Sequence, residues 1–224
     1  RARAAGRRLL SNLSPQQKAT LSLHGTSEDW TRGYRQRACD AASLALNVVA
    51  FWHPELKKVL FWVYFGLLFG LASSVISFNR TPALLVAVLR RVAGVPSFHY
   101  FDDLGLVDLS SLSILGQKLV RHVHSSAGFL LDSDKALAPD VSWVFLGILY
   151  LLEKAFSNAL IVADAKPGRR AAILAIVKTI LDEKLLSRLT AGKLRGKSHF
   201  LANSMFGRMG RAPESALVRF EHDK

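Results

Sequence analysis

Two short apolar runs, LALNVVAFW (Leu44 to Trp52) and VLFWVYF (Val59 to Phe65), are rich in valine and aromatic residues and flank the polar HPELKK. The pattern predicts two strands of a hairpin closed by a turn. From Ser73 to Val92 the apolar positions recur at helical spacing, with Pro82 placed to kink the helix and VAGVP to end it. SFHYF and LGLVDL then read as two strands around an Asp-Asp turn. Ser113 to Ser125 returns to helical spacing, with Ile114, Leu115, Leu119 and Val123 predicted on one face.

The remaining segments carry weaker patterns. Residues 1 to 20 form a basic lead-in with Ser14-Pro15 as a helix start, and Arg32 to Ala42 fits a helix. AGFLLDSDKA fits a strand running into a loop, Trp143 to Leu152 suits either a strand or a buried helix, and the pattern from Gly168 onward is mostly helical. Val59 to Phe78 is uncharged for twenty residues and qualifies by length and hydropathy as a transmembrane candidate. Its flanking residues, Lys57 and Lys58 on one side and Arg80 on the other, give no clear orientation. The rival reading is a buried strand, a glycine turn and the start of a helix.

Composition adds a charge asymmetry. The chain has 224 residues and a net charge of +13, of which +8 falls after residue 165. That density of Lys and Arg makes the C-terminal quarter the candidate for contact with a polyanion. Half the chain is hydrophobic, enough for a sizeable core. The single cysteine, Cys39, excludes an intramolecular disulfide and a cysteine-cluster metal site, and suits a reducing, intracellular setting, cytoplasmic or nuclear. Ser125 and Ser126 lack the flanking glycines of a serine hydrolase. His122 and His124 have no carboxylate or cysteine company and are expected on an exposed helix face rather than in a zinc site. Trp52, Trp62 and Trp143 are expected in the core.

Asp102 and Asp103 stand within FHYFDDLGLV, an otherwise apolar and aromatic run. Most such pairs are turn residues or helix caps, but buried strands on either side place this pair at a reachable hairpin tip. Burial of an unpaired carboxylate is expensive, and Mg²⁺ is a hard cation suited to such oxygens. Two-metal chemistry needs a third carboxylate, for which Asp29 in EDWTRGYRQ is the candidate. Asp29 or Glu28 capping a helix is the alternative.

Taken in order, DWTRGY, FGLASSVISFN, HYFDD, GFLLDSDK and FLG resemble the palm motifs of a reverse transcriptase. The resemblance is detailed from Asp29 to Gly147, and GKLRGKSHFLANSMFGRMGRA resembles the helices that follow the palm in retroelement enzymes. It implies an α+β fold, a palm with an antiparallel sheet packed on helices, followed by a mainly helical thumb-like region. The domain plan it implies is a basic lead-in over residues 1–28, a palm over 29–165 and the thumb-like part over 166–224.

The implied activity is RNA-directed DNA synthesis with two divalent ions, Mg²⁺ or Mn²⁺, on an RNA or DNA template with primer and deoxynucleoside triphosphates. By position, Asp29, Asp102 and Asp103 match the catalytic aspartates, and the Trp30 carbonyl is a further metal-ligand candidate. Tyr34 matches the aromatic gate against a ribose 2′-hydroxyl. Gly70, Ser74, Phe78 and Asn79 match residues near the incoming nucleotide and template base. Lys135 resembles the lysine assigned to leaving pyrophosphate, and Phe145, Leu146 and Gly147 resemble the primer grip. Arg188, Lys193, Arg195, Lys197, Arg208 and Arg211 are the expected phosphate contacts.

The sequence departs from the family pattern at Leu68, Phe69 and Val75, in the nucleotide pocket rather than at the metal site. Only 28 residues precede Asp29, too few for the family's fingers, so the chain reads as a truncated or decayed copy. The resemblance assigns the long apolar run to a palm-edge strand, a turn and the first turns of a helix, and no membrane partner is expected. Two other readings remain: a noncatalytic nucleic-acid-binding remnant, and a small basic membrane protein.

Overall fold

The computed structural model describes residues 12–204 and 211–222, which form an α+β fold of two compact units. One unit runs from Leu21 to Asp140 and holds a four-stranded antiparallel sheet. Its strands are β1 (Leu23–Asp29), β4 (Ser97–Tyr100), β5 (Asp103–Leu109) and β6 (Leu137–Asp140), in the order β4-β5-β1-β6. Two helices pack on this sheet, α3 (Ala72–Arg91) against β4 and α4 (Ser110–Ser126) against β5 and β1.

Strand alternation decides what each face presents. In β1 and β5 the cross-strand pairs Thr26↔Leu106 and Glu28↔Leu104 are buried. Leu104 and Leu106 join Phe78, Leu85, Val86 and Leu89 of α3, Val120 of α4, and Trp30, Tyr34 and Val95 in one core. The pairs Ser27↔Gly105 and Asp29↔Asp103 alternate with these and belong to the opposite face.

Helix α4 bears out half of the expected face. Its buried positions are Ser113, Gly116, Val120 and His124; of the expected face, Leu119 and Val123 are partly buried against the core, whereas Ile114 and Leu115 are exposed. Small residues let this helix approach the sheet closely: a Cβ on Gly116 would lie 3.1 Å from Leu106 Cδ2. His124, expected at the surface, is fully buried, with its Nδ1 2.7 Å from the Val120 carbonyl and its ring edge-on to Trp30. Because a carbonyl only accepts, Nδ1 carries the proton.

Burial pushes the His124 pKa below its ordinary 6.5. The unfolded chain therefore takes up this proton first, and stability present above pH about 6.5 is lost as pH falls towards the lowered folded value. His99 is shifted the same way by burial and by Arg90. Urea unfolding between pH 7 and 5 is expected to show a slope that His124→Leu flattens but does not abolish.

The predicted hairpin is β2 (Val48–His53) and β3 (Lys58–Val63), paired from Val48↔Val63 to His53↔Lys58 around Pro54–Lys57. It is a two-stranded sheet on its own, and both its faces are open: Phe61 is 70% exposed, and Trp52 and Trp62, expected in the core, are exposed as well. Val59 to Phe78 is thus strand, loop and the start of α3. By length and composition α3 is long and apolar enough to cross a membrane; here its apolar side forms much of the core. Arg32–Ala42 is no continuous helix: a 3-10 turn, Gly33–Gln36, is followed by α2 (Ala41–Leu44), which Asp40 caps by accepting the Ser43 N–H at 2.8 Å.

The other unit takes residues 12–20 and the described residues from Val141 onward. Helix α1 (Pro15–Thr20) begins where Ser14-Pro15 predicts, with a reciprocal cap between Ser14 and Gln17 at 3.1 and 2.8 Å. The apolar run from Trp143 resolves into β7 (Ser142–Phe145) and β8 (Ile148–Leu151), to which β9 (Val162–Ala165) adds a third antiparallel strand. Leu146 and Gly147 both have positive φ, 49° and 75°, the signature of a two-residue I′ turn. Helices α5 (Arg169–Glu183), α6 (Arg188–Ser204) and α7 (Arg211–His222) complete this unit.

Candidate active site

The carboxylate cluster is a product of register. β1 ends at Asp29, β5 begins at Asp103, and the two are directly opposed. Directly opposed residues hold their Cβ atoms about 5 Å apart on one face. Asp102 occupies the loop beside them. The hairpin turn is Phe101–Asp102 rather than the Asp-Asp pair, with Asp103 already in the strand. The Trp30 N–H donates to the Asp102 carbonyl at 3.2 Å, tying the end of β1 to this turn.

Phe101, the first loop residue, has φ 53°, a left-handed value suited to glycine in a II′ hairpin. Its ring packs against the core, which retains a bulky residue in that conformation. Phe101→Val places a β-branched residue there and is expected to lower stability by about 1–2 kcal/mol in urea unfolding.

A second chain segment closes the site. Thr31 N–H donates to the Leu130 carbonyl at 3.0 Å and Asp132 N–H to the Asp29 carbonyl at 2.8 Å. These bonds bring the GFLLDSDK segment alongside, and Lys135 Nζ donates to Asp29 Oδ2. Asp29 in turn raises the Lys135 pKa. Burial, then Asp102 and Asp29, push the Asp103 carboxyl above its usual value, with Lys135 opposing.

Tyr34 is buried between Phe78, stacked at 4.6 Å and 11°, and Phe69, at 4.6 Å. Burial first, then the charge of Asp102, raises its phenol pKa. Phe78 is fully buried behind Tyr34 and against Trp30, and supports the gate candidate from within the core. Ser74 is buried, Asn79 is half-buried and Gly70 is exposed with φ 90°.

Sequence reasoning missed Glu28. One residue before Asp29, it is 3% exposed, and its Oε1 accepts from Gln117 Nε2 and Arg121 Nε, each at 2.7 Å. The adjacent carboxylates Glu28 and Asp29 thus belong to opposite faces, and neither caps a helix. GTSED carries no apolar alternation that could have signalled this.

The other candidates lie in the second unit. Phe145 is buried and stacks on Trp143 at 5.2 Å, and Leu146 and Gly147 form the turn beyond it. Arg188, Lys193 and Lys197 are exposed on α6, while Arg195 pairs with Glu221 at 2.7 Å. Arg208 lies outside the described residues, and Arg211 opens α7.

Asp29, Asp102 and Asp103 bring hard oxygens to one hairpin end, where burial first and then the charges of Asp102 and Asp29 raise the Asp103 pKa. Among the described residues no three His, Cys, Asp or Glu side chains are already gathered tightly enough to hold an ion, and Lys135 supplies positive charge at Asp29.

No family model and no curated protein matches the sequence. The architecture is similar to a solved structure of the foamy viral protease-reverse transcriptase in complex with an RNA/DNA hybrid. The two share 16% identity at a TM-score of 0.58, over 87% of this chain and 27% of that one. The fold is reverse-transcriptase-like. A second structure of the foamy viral protease-reverse transcriptase, dRH in complex with double-stranded DNA, is similar at 15% identity and a TM-score of 0.55, over 89% of this chain and 35% of that one. The chain therefore spans about a third or less of either reverse transcriptase, and at such identities the likeness concerns the fold alone.

Proposed function

We propose that this chain is the palm-to-thumb portion of a retroelement reverse transcriptase and that its site performs template-directed nucleotidyl transfer. The observation that carries this reading is the opposition of Asp29 and Asp103 with Asp102 beside them, in a reverse-transcriptase-like fold. Asp29, Asp102, Asp103 and the Trp30 carbonyl would hold two divalent ions, Mg²⁺ or Mn²⁺. Bound there, such ions supply a lowered pKa for a primer 3′-hydroxyl and charge compensation for a triphosphate.

The chain's own residues do the rest. Tyr34, buried between Phe69 and Phe78, would meet a nucleotide sugar once the exposed Phe69 ring moves aside. Lys135 must leave Asp29 for the carboxylates to take up cations, which frees its ammonium to meet a leaving diphosphate. Lys193 and Lys197, four residues apart and exposed on α6, suit template or primer phosphates, while sequence is read by base pairing.

A second reading has its own support. Because Lys135 already neutralises Asp29, the same fold could bind nucleic acid without chemistry. Mg²⁺-dependent primer extension on an RNA template decides between them. Extension by the native chain and a loss of about 10³-fold or more in Asp102→Asn are expected, a difference of roughly 4 kcal/mol in the barrier. Binding of template-primer without extension by either protein would favour the noncatalytic remnant.

A further inference from the structure

Within the unit of residues 21–140, a cleft of about 560 Å³ opens between the 3-10 turn, α2, the start of β2 and the first turns of α3. Arg37, Asp40, Asn47, Ser73, Ser74 and Ser77 are among the polar residues on its wall. Two of these have polar groups without partners. The Arg37 Nε is buried and unpaired, and no ion pair among the described residues involves its guanidinium. Ser74 is 4% exposed, and its hydroxyl has no hydrogen-bond partner among the described residues.

Helix α3 starts at the same wall. Its N-cap residue, Leu71, offers no side-chain acceptor, and its carbonyl takes the Ser74 N–H at 3.1 Å, so the donors that no side chain caps are the Ala72 and Ser73 N–H groups. Asp40, the carboxylate on the wall, is bound to the Ser43 N–H and hydroxyl at 2.8 and 3.0 Å. Asn47 fixes another part of the wall by donating to the Gly66 carbonyl at 2.7 Å. A guanidinium, serine hydroxyls and an uncapped helix start therefore share one cleft, a set of donors that calls for an anion with several acceptor oxygens.

We propose that this cleft binds a phosphate group, held by Arg37, Ser74 and the first turn of α3. The volume leaves room for a sugar beside it, so a phosphodiester of a single nucleic-acid strand and a free phosphate share the required chemistry. The site shares Ser74 with the residues matched to the nucleotide pocket but none of Asp29, Asp102 and Asp103, and phosphate binding there requires no catalysis.

Cys39, the single cysteine, lines the same cleft, so its alkylation rate reports occupancy in the intact chain. At ionic strength matched with chloride, inorganic phosphate and a single-stranded oligonucleotide are each expected to slow alkylation several-fold. Arg37→Gln should raise the half-protecting concentration about tenfold, Ser74→Ala less, and Arg37→Lys should recover part of the loss, as expected for charge-assisted bonds. Asp103→Asn should leave protection unchanged, which separates this site from the carboxylates.

Protection by phosphate but not by the oligonucleotide supports the site and assigns it a free phosphate. Protection by both assigns the strand. Equal protection of native and Arg37→Gln proteins, or none in the native chain, overturns the proposal. Should Arg37→Gln fail to fold by circular dichroism, native protection and its weakening in Ser74→Ala decide.

Discussion

On the proposed function, Asp103→Asn is expected to abolish nucleotide addition, by about 10³-fold or more, while leaving the fold slightly more stable than the native one. The two effects share a cause. Burial and the charges of Asp102 and Asp29 raise the Asp103 pKa, so the folded chain holds this proton more tightly than the unfolded chain. Stability is consequently lost as pH rises from about 3.8 through the raised value, and the deficit persists at neutral pH. Asparagine removes the repulsion at nearly the same volume. Because Asp103 is only partly buried, screening limits the gain to less than about 1 kcal/mol. Thermal unfolding at pH 7 alongside primer extension checks both halves; a variant less stable than the native chain would contradict the electrostatic account.

Trp30→Ala is expected to cost about 3–5 kcal/mol, a large fraction of the stability of a domain this size. Trp30 is 1% exposed and its ring meets Phe78 at 5.5 Å, His124 at 5.4 Å and Phe129 at 4.6 Å, joining α3, α4 and the segment after α4. Its backbone N–H also holds the Asp102 carbonyl, so the loss should reach the carboxylates. Trp30→Phe separates packing from polarity. The indole Nε1 is buried and unpaired, so the smaller ring loses contacts but also an unsatisfied donor. Its destabilisation should stay within about 1.5 kcal/mol in urea unfolding.

What could be read in the sequence depended on where the apolar side chains pointed. The β2–β3 hairpin and α3 carry strong periodicity and a turn marked by Pro54, and both were legible. β1 was not, because LHGTSED is mostly polar; it is a strand because Thr26 and Glu28 fit between β5 and α4, with Gln117 and Arg121 meeting the Glu28 carboxylate. The face of α4 was half legible: Leu119 and Val123 do pack on the core, but Ile114 and Leu115 are exposed because the helix meets the sheet most closely through Ser113 and Gly116. Spacing placed Asp102 and Asp103 at a hairpin tip and required a third carboxylate; choosing Asp29 took the family resemblance, and its opposition to Asp103 is a register that no short motif encodes. The turn lies one residue earlier than the sequence suggested, and in a strand one residue is the difference between two faces.

The β2–β3 hairpin has a consequence for handling the protein. Its strands leave two hydrogen-bonding edges without neighbours in their own sheet, and valine and aromatic side chains are exposed on both faces. Few devices blunt those edges, since the charges Glu55, Lys57 and Lys58 are gathered at the turn and the strands' closing pair. Purified alone, the chain should have a solubility ceiling set by this hairpin, and its net charge of +13 is what opposes edge-to-edge growth at low ionic strength. The salt that would weaken the proposed nucleic-acid contacts would also remove that protection, so binding curves at high ionic strength have to be read together with light scattering.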